Sequence, residues 1–211
     1  MAQLYGRAVA GIGRKTDAGL PGTWTTYFAS DDVDATAAEV KAAGGQLTAP
    51  PFYVMDSGRM AVAVDPLGAV FGLWQAGNHI GAERVNEHGS LCWNELHTRN
   101  YAAARSFYAR LFGFAYHDVK AEGLVYSTCL RSPDGREVAG VQLDRQLPEG
   151  APGSWLTWFA SDDVAATAQR AGQLGATLLR PVSDTPFGRM AVVRGLQGEA
   201  FGVIAVAPSG A

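Results

Sequence analysis

The chain writes one stretch twice. WTTYFASDDVDATAAEV begins at Trp24, and WLTWFASDDVAATAQRA begins 131 positions later at Trp155. Gly58–Arg59–Met60–Ala61–Val62 then returns 130 positions on, as Gly188–Arg189–Met190–Ala191–Val192. The copies close alike, as AVFGLW from Ala69 and EAFGVI from Glu199. Self-similarity at a fixed offset marks a duplicated structural unit, and stacking buries the apolar face that one unit alone leaves open.

Each copy reads as a strand, a helix and three strands. TTYFAS and LTWFAS are aromatic and β-branched, which suits a pleated, half-buried surface. Asp31 or Asp32, and Asp162 or Asp163, stand where a helix N-cap belongs, before the alanine-rich runs 35–43 and 165–171. Gly44–Gly45 and Gly175 supply helix stops. QLTAPPF, RMAVAVD and AVFGLWQ, separated by Pro and Gly turns, are the remaining strands of the first copy.

A related unit precedes the later copy: LCWNELHT from Leu91, a helix over 100–114, then LVYSTCL from Leu124 and EVAGVQL from Glu137. Ala103, Phe107, Tyr108, Leu111 and Phe112 lie near the spacing of one apolar helix face. The fold class expected is therefore α+β, assembled from tandem βαβββ units. With a net charge of −3 and no run of Lys or Arg, the chain lacks the footprint of a nucleic-acid or acidic-membrane binder. Residues 1–13 do not read as a signal peptide and no apolar run reaches membrane-spanning length, so a cytoplasmic location is expected. Cys92 and Cys129 have no zinc or disulfide spacing and read as small buried hydrophobes.

SFYARLFGF after a strand, the DDVxAT helix start, GRMAV and DPLGAVFGLWQ together resemble the vicinal oxygen chelate superfamily, which includes glyoxalase I, bleomycin-resistance proteins and extradiol dioxygenases. Residues 72–96 resemble, more narrowly, the linker of a two-module actinobacterial glyoxalase-like group. The resemblance implies two glyoxalase-like modules, each a curled sheet made by two βαβββ units around a cavity. The expected division is an incomplete first module at 1–78, a linker at 79–89 and a complete second module at 90–211. YGRAVAGI from Tyr5 matches DGREVAGV from Asp134, which sets Met1 inside the strand that ends near Leu130, so the first module is expected to be N-terminally truncated. An open sheet edge leaves backbone groups unpaired, each costing about 1–3 kcal/mol when buried. The expectation is an upstream translation start or a homodimer whose second copy covers the face.

The resemblance also implies metal ligands, His or Glu, on the first and last strands of each unit. Here those positions read Trp93, Thr25 and Leu156 on first strands and Gly72 and Gly202 on last strands, with one more near Glu137 or Gln142. Catalytic metal sites use about three protein ligands, so no metal and no other cofactor is expected. Strand parity sets Trp93, Glu95 and His97 on one wall, and Trp158 shares a face with Leu156. Tyr27 and Trp74 line the first module. Trp93 and Trp158 either fill a core or stack on a ligand. A carboxylate on an inward face needs a partner or water, and His97 and Arg189 are the candidates for Glu95. Two functions follow. One is a binding protein for a small apolar or aromatic molecule, using Trp93, Trp158, Arg189, Tyr27 and Trp74. The other is a lyase, isomerase or dioxygenase-type enzyme of the same superfamily, with Glu95 and His97 as acid and base and a place in secondary metabolism or aldehyde detoxification.

Overall fold

The computed structural model describes residues 1–15, 19–132 and 134–205. In chain order the elements are β1 (Ala2–Leu4), β2 (Arg7–Ala10), β3 (Tyr27–Ala29), α1 (Val33–Ala42), β4 (Gln46–Val54), β5 (Gly58–Val64) and β6 (Val70–Ala76). Then come β7 (Leu91–Thr98), α2 (Tyr101–Phe112), β8 (Ala115–Ala121), β9 (Leu124–Arg131) and β10 (Arg136–Leu143). The last group is β11 (Ser154–Ala160), α3 (Val164–Gln173), β12 (Thr177–Thr185), β13 (Gly188–Arg194) and β14 (Ala200–Ile204). The expected βαβββ order appears in all three copies. The strand β8, polar and adjacent to the helix end at Gly113, is one that the residue pattern alone did not single out. Among the described residues no helix is long and apolar enough to cross a membrane.

The chain forms two compact units: one from Met1–Trp24, Gly81–Trp93 and Leu156–Ala211, the other from Thr25–Ile80 and Asn94–Trp155. Compactness thus groups the copies in a way that the linker position does not foretell. In the second unit, β3-β6-β5-β4 form one sheet, and β10, β9 and β8 continue from the Asn94–Thr98 part of β7. First and last strands of each copy pair in parallel, Tyr27 opposite Gly72 and Glu95 opposite Gly140. The first unit repeats the plan, with Trp158 opposite Gly202 and β13 and β12 beyond β14. Its N-terminal hairpin turns at Tyr5–Gly6, both in the left-handed region with φ of 50° and 75°. Glu83 closes that hairpin's flank, its carboxylate accepting from Ala8 N at 2.6 Å.

The helix starts settle the N-caps as Asp32 and Asp163: Asp32 Oδ1 accepts from the N–H groups of Asp34 and Ala35, and Asp163 Oδ1 from that of Ala166. Asn100 caps α2 through Ala103 N. The buried face of α2 carries Ala104, Phe107 and Tyr108, whereas Ala103 is exposed. Ala104 is three and four residues before those rings, the spacing of a common face, so the apolar face begins at Ala104 instead of Ala103 while Phe107, Tyr108, Leu111 and Phe112 stand on it as expected.

The core of the second unit is aromatic. Phe28 stacks on Phe112 at 4.5 Å between centroids and meets Trp155 edge-on at 5.2 Å. Tyr108 is fully buried, and its hydroxyl donates to Asp65 Oδ2 at 3.0 Å while accepting from Trp155 Nε1 at 2.9 Å. Asp65 Oδ1 in turn accepts from the N–H groups of Leu67 and Ala69, shaping the β5–β6 turn. One hydroxyl therefore joins a helix, a turn and a strand. Burial pushes the Asp65 carboxyl above its usual range despite these donors, and holds the Tyr108 hydroxyl well above its own. Tyr108→Phe keeps the ring but leaves Trp155 Nε1 and Asp65 Oδ2 without this partner. It should lower stability by about 2 kcal/mol in urea unfolding. A loss below about 0.5 kcal/mol, the range of an ordinary surface change, would show that the bridge is dispensable.

Candidate functional site

The parallel rungs between first and last strands share one arrangement. At Gly72 an added Cβ would lie 2.2 Å from the ring of Tyr27, and at Gly202 it would lie 2.0 Å from the ring of Trp158. At Gly140 the Tyr126 hydroxyl occupies the equivalent space, 1.9 Å from the Cβ position. Each of these glycines is the residue whose missing side chain lets an aromatic group lie on the sheet. Strand register also fixes the last-strand position that the sequence left between Glu137 and Gln142: Gly140 pairs with Glu95 as Gly72 does with Tyr27. Glu137 is instead engaged with Thr128 Oγ1 at 2.8 Å and with exposed His117 at 3.3 Å.

Glu95 and His97 are brought together. His97 Nε2 lies 2.8 Å from Glu95 Oε1, an ion-pair contact off the axis of a directed hydrogen bond. On the other side of the ring, Nδ1 is 3.0 Å from Asp144 Oδ2. Asp144, just beyond β10, was missed by sequence reasoning. Its signal is only that Gln142 and His97 are partners across the parallel β10–β7 pair, which brings the chain after β10 alongside the imidazole. All three residues are buried. Burial of the imidazole works against its charged form, but Glu95 and Asp144 together outweigh it and raise the His97 pKa above its usual value. His97 is thus a buried imidazole clamped between two carboxylates inside the second unit.

Of the other expected site residues, Arg189 does not meet Glu95. It lies across the hairpin from Asp184, with Nε 4.0 Å from the carboxylate, and both side chains are exposed. Its repeat partner Arg59 pairs with Asp34 in the first turn of α1. Trp93 and Trp158 belong to the first unit, and Trp158 is only 4% exposed. Tyr27 and Trp74 belong to the second unit, and Tyr27 is 44% exposed. Trp74 donates from Nε1 to His79 O at 2.9 Å and lines an open cleft of about 250 Å³ together with Ala29, Ser30, Asp31, Gln75, Ala76 and Ile80. Burial pushes the thiols of Cys92 and Cys129 up to about 12, so neither is a nucleophile near neutral pH.

Paired βαβββ copies with parallel closing strands define the fold of a superfamily. Residues 90–203 match the model of the Glyoxalase/Bleomycin resistance protein/Dioxygenase superfamily. The chain belongs to that superfamily. The putative glyoxylase CFP32 of Mycobacterium tuberculosis (strain CDC 1551 / Oshkosh) is 42% identical over 213 residues, covering 99% of this chain and 80% of its own length. The anthracycline biosynthesis protein DnrV of Streptomyces peucetius is 38% identical over 186 residues, covering 88% of this chain and 66% of its own. Among solved structures, the Mn(II)-bound glyoxalase from Novosphingobium aromaticivorans aligns with a TM-score of 0.59 at 18% identity, over 85% of this chain and 61% of that one. The 2,3-dioxygenase LapB from Pseudomonas sp. KL28 aligns with a TM-score of 0.54 at 13% identity, over 83% and 68%. These two share the fold.

The family implies a divalent ion, and the residues present do not fit one. Side chains at 72, 140 and 202 would collide with Tyr27, Tyr126 and Trp158. Among the described residues no group of three or more His, Cys, Asp or Glu is placed to hold a metal ion. Glu95, His97 and Asp144 form a row with the imidazole between the carboxylates, so their donor atoms do not converge on a common point.

Two predictions follow from this geometry. Because folding raises the His97 pKa, the folded chain holds that proton more tightly, so the clamp's contribution is fully present below the ordinary imidazole value of 6.5 and is lost as pH rises through the folded value. Urea unfolding across that window should show stability falling with pH, and His97→Gln should flatten the slope; a His97→Gln curve parallel to the parent would refute the assignment. The second concerns the rungs. Gly202→Ala must displace a buried indole and should cost about 2 kcal/mol, whereas Gly72→Ala meets an exposed Tyr27 that can swing outward and should cost clearly less. Equal costs would mean that the rings do not rest on these glycines.

Proposed function

We propose that this chain binds a small apolar or aromatic molecule without a divalent ion, in the manner of a glyoxalase/bleomycin-resistance-like binding protein. The observation that carries this reading is the covering of the last-strand glycines by aromatic groups, which gives ring surface where side-chain ligands would otherwise stand. In the second unit Tyr27 and Trp74 share one sheet face, since Ala29 is opposite Trp74 as Tyr27 is opposite Gly72. By volume, the open cleft of about 250 Å³ beside Trp74 has room for a substituted single ring. In the first unit Trp93, Trp158 and Arg189 are the residues assigned to ligand contact. The reading includes a homodimer in the cytoplasm, for which exposed Phe52, Tyr53 and Met55 offer apolar surface. The name of DnrV favours a place in secondary metabolism.

The test is a stabilisation assay with p-cresol on protein stripped with a chelator. A ligand at about 100 times its dissociation constant should add roughly 2.7 kcal/mol, and Tyr27→Ala or Trp74→Ala should weaken binding. Binding that disappears on chelation and returns with Mn(II) or Zn(II) would overturn the reading.

The Glu95–His97–Asp144 clamp supports a second reading, a lyase or isomerase working by proton transfer, with His97 as acid and Glu95 as base once the pair is separated by substrate. Asp144 then orients the ring through Nδ1. General acid–base groups contribute typically 10²–10⁴-fold, so Glu95→Gln should cut turnover by that order and spare binding. Undiminished turnover would reject the assignment.

A further inference from the structure

Asp31 and Asp162 hold the same place in the two copies, each directly before its helix N-cap. Their surroundings differ. In the first unit the chain lays a ring on Asp162: His88 Nδ1 accepts from Asp162 N at 3.1 Å and lies 3.8 Å from the carboxylate. In the second unit Asp31 has no hydrogen bond or ion pair among the described residues, and it borders the open cleft instead. The strand residue beside it differs too. Ala160 is opposite Ile204, while Ala29 is opposite Trp74, so an indole walls the cleft only where the carboxylate is free.

The charge balance at this mouth is negative. Of the three neighbouring carboxylates, Asp34 is paired with Arg59 and Asp32 is committed to backbone N–H groups of α1, which leaves Asp31 without a cation. An unpaired carboxylate beside an aromatic wall is the combination that recognises an organic cation, because the ring face and the anion both attract positive charge. Gln75 Oε1 accepts from Val33 N at 3.0 Å, and no hydrogen bond joins the Gln75 amide to Asp31 among the described residues.

Resting on the aromatic-ligand reading above, we propose that the Trp74–Asp31 cleft takes a small ring-bearing organic cation, an aromatic amine or protonated nitrogen heterocycle, with its ring at Trp74 and its charge at Asp31.

Titration calorimetry at low ionic strength and neutral pH, with benzylamine and benzyl alcohol as probes, tests this. Benzylamine should bind about five- to tenfold more tightly, the sum of one exposed cation–π contact and one exposed ion pair. Asp31→Asn should cut that preference to about two- to threefold, the cation–π part alone, while leaving benzyl alcohol unaffected, Asp31→Glu should retain most of it, and Asp162→Asn should leave it unchanged. Equal binding of the two probes would overturn the charge assignment and leave the aromatic reading standing. A preference undiminished in Asp31→Asn would overturn the role of Asp31. Failure of both probes to bind would overturn the cleft as an aromatic site, and this inference with it.

Discussion

Everything in this molecule is organised by the parallel closing of each βαβββ copy, in which the last strand returns beside the first. That closure brings a glycine opposite the strand residue whose ring, or whose diagonal neighbour's hydroxyl, covers it. A glycine there removes the only obstacle to an aromatic group lying flat on the sheet, and the group in turn occupies the space from which a coordinating side chain would project. One backbone constraint thus sets the packing and decides the chemistry of the face. The fold is shared at low identity with a Mn(II)-bound glyoxalase, and a shared fold does not by itself fix what the site holds.

Two buried polar groups of the second unit are each held by partners that other parts of the chain contribute. Tyr108 joins Asp65 and Trp155. His97 is held by Glu95 and Asp144. In both cases burial raises the cost of leaving one member alone, so the network fixes strand ends and turns as well as charge. The difference lies in what can move. Tyr108 is locked in an aromatic core, whereas His97 is a titratable ring held between two carboxylates.

Much of the fold was legible in the residues. The repeated DDV start, with its aspartate caps, fixed α1 and α3 because a carboxylate can satisfy orphan N–H groups only at the N-cap. Gly44 and Gly175, with φ of 89° and 92°, stop those helices in a conformation that a side chain would resist. The pairing of Glu95 with His97 was also readable, since residues two apart on a strand share a face. Less was readable of α2, whose buried stripe runs through Ala104, and of β8, a polar strand whose pairing with β9 carries no residue signature of its own.

By itself, then, the sequence determined the repeated unit, the strand and helix order, and the aromatic character of Tyr27, Trp74 and Trp158, because these rest on local periodicity and side-chain type. Only the tertiary structure decided that Asp144 completes the His97 clamp, that Gly140 is the third covered rung, that Arg189 faces Asp184, and that compact packing joins Thr25–Ile80 with Asn94–Trp155. The physical reason is range. Caps, turns and strand parity act over a few residues of chain, while strand register and the burial of a charge depend on segments dozens of residues apart, whose meeting is set by the packing of the whole core.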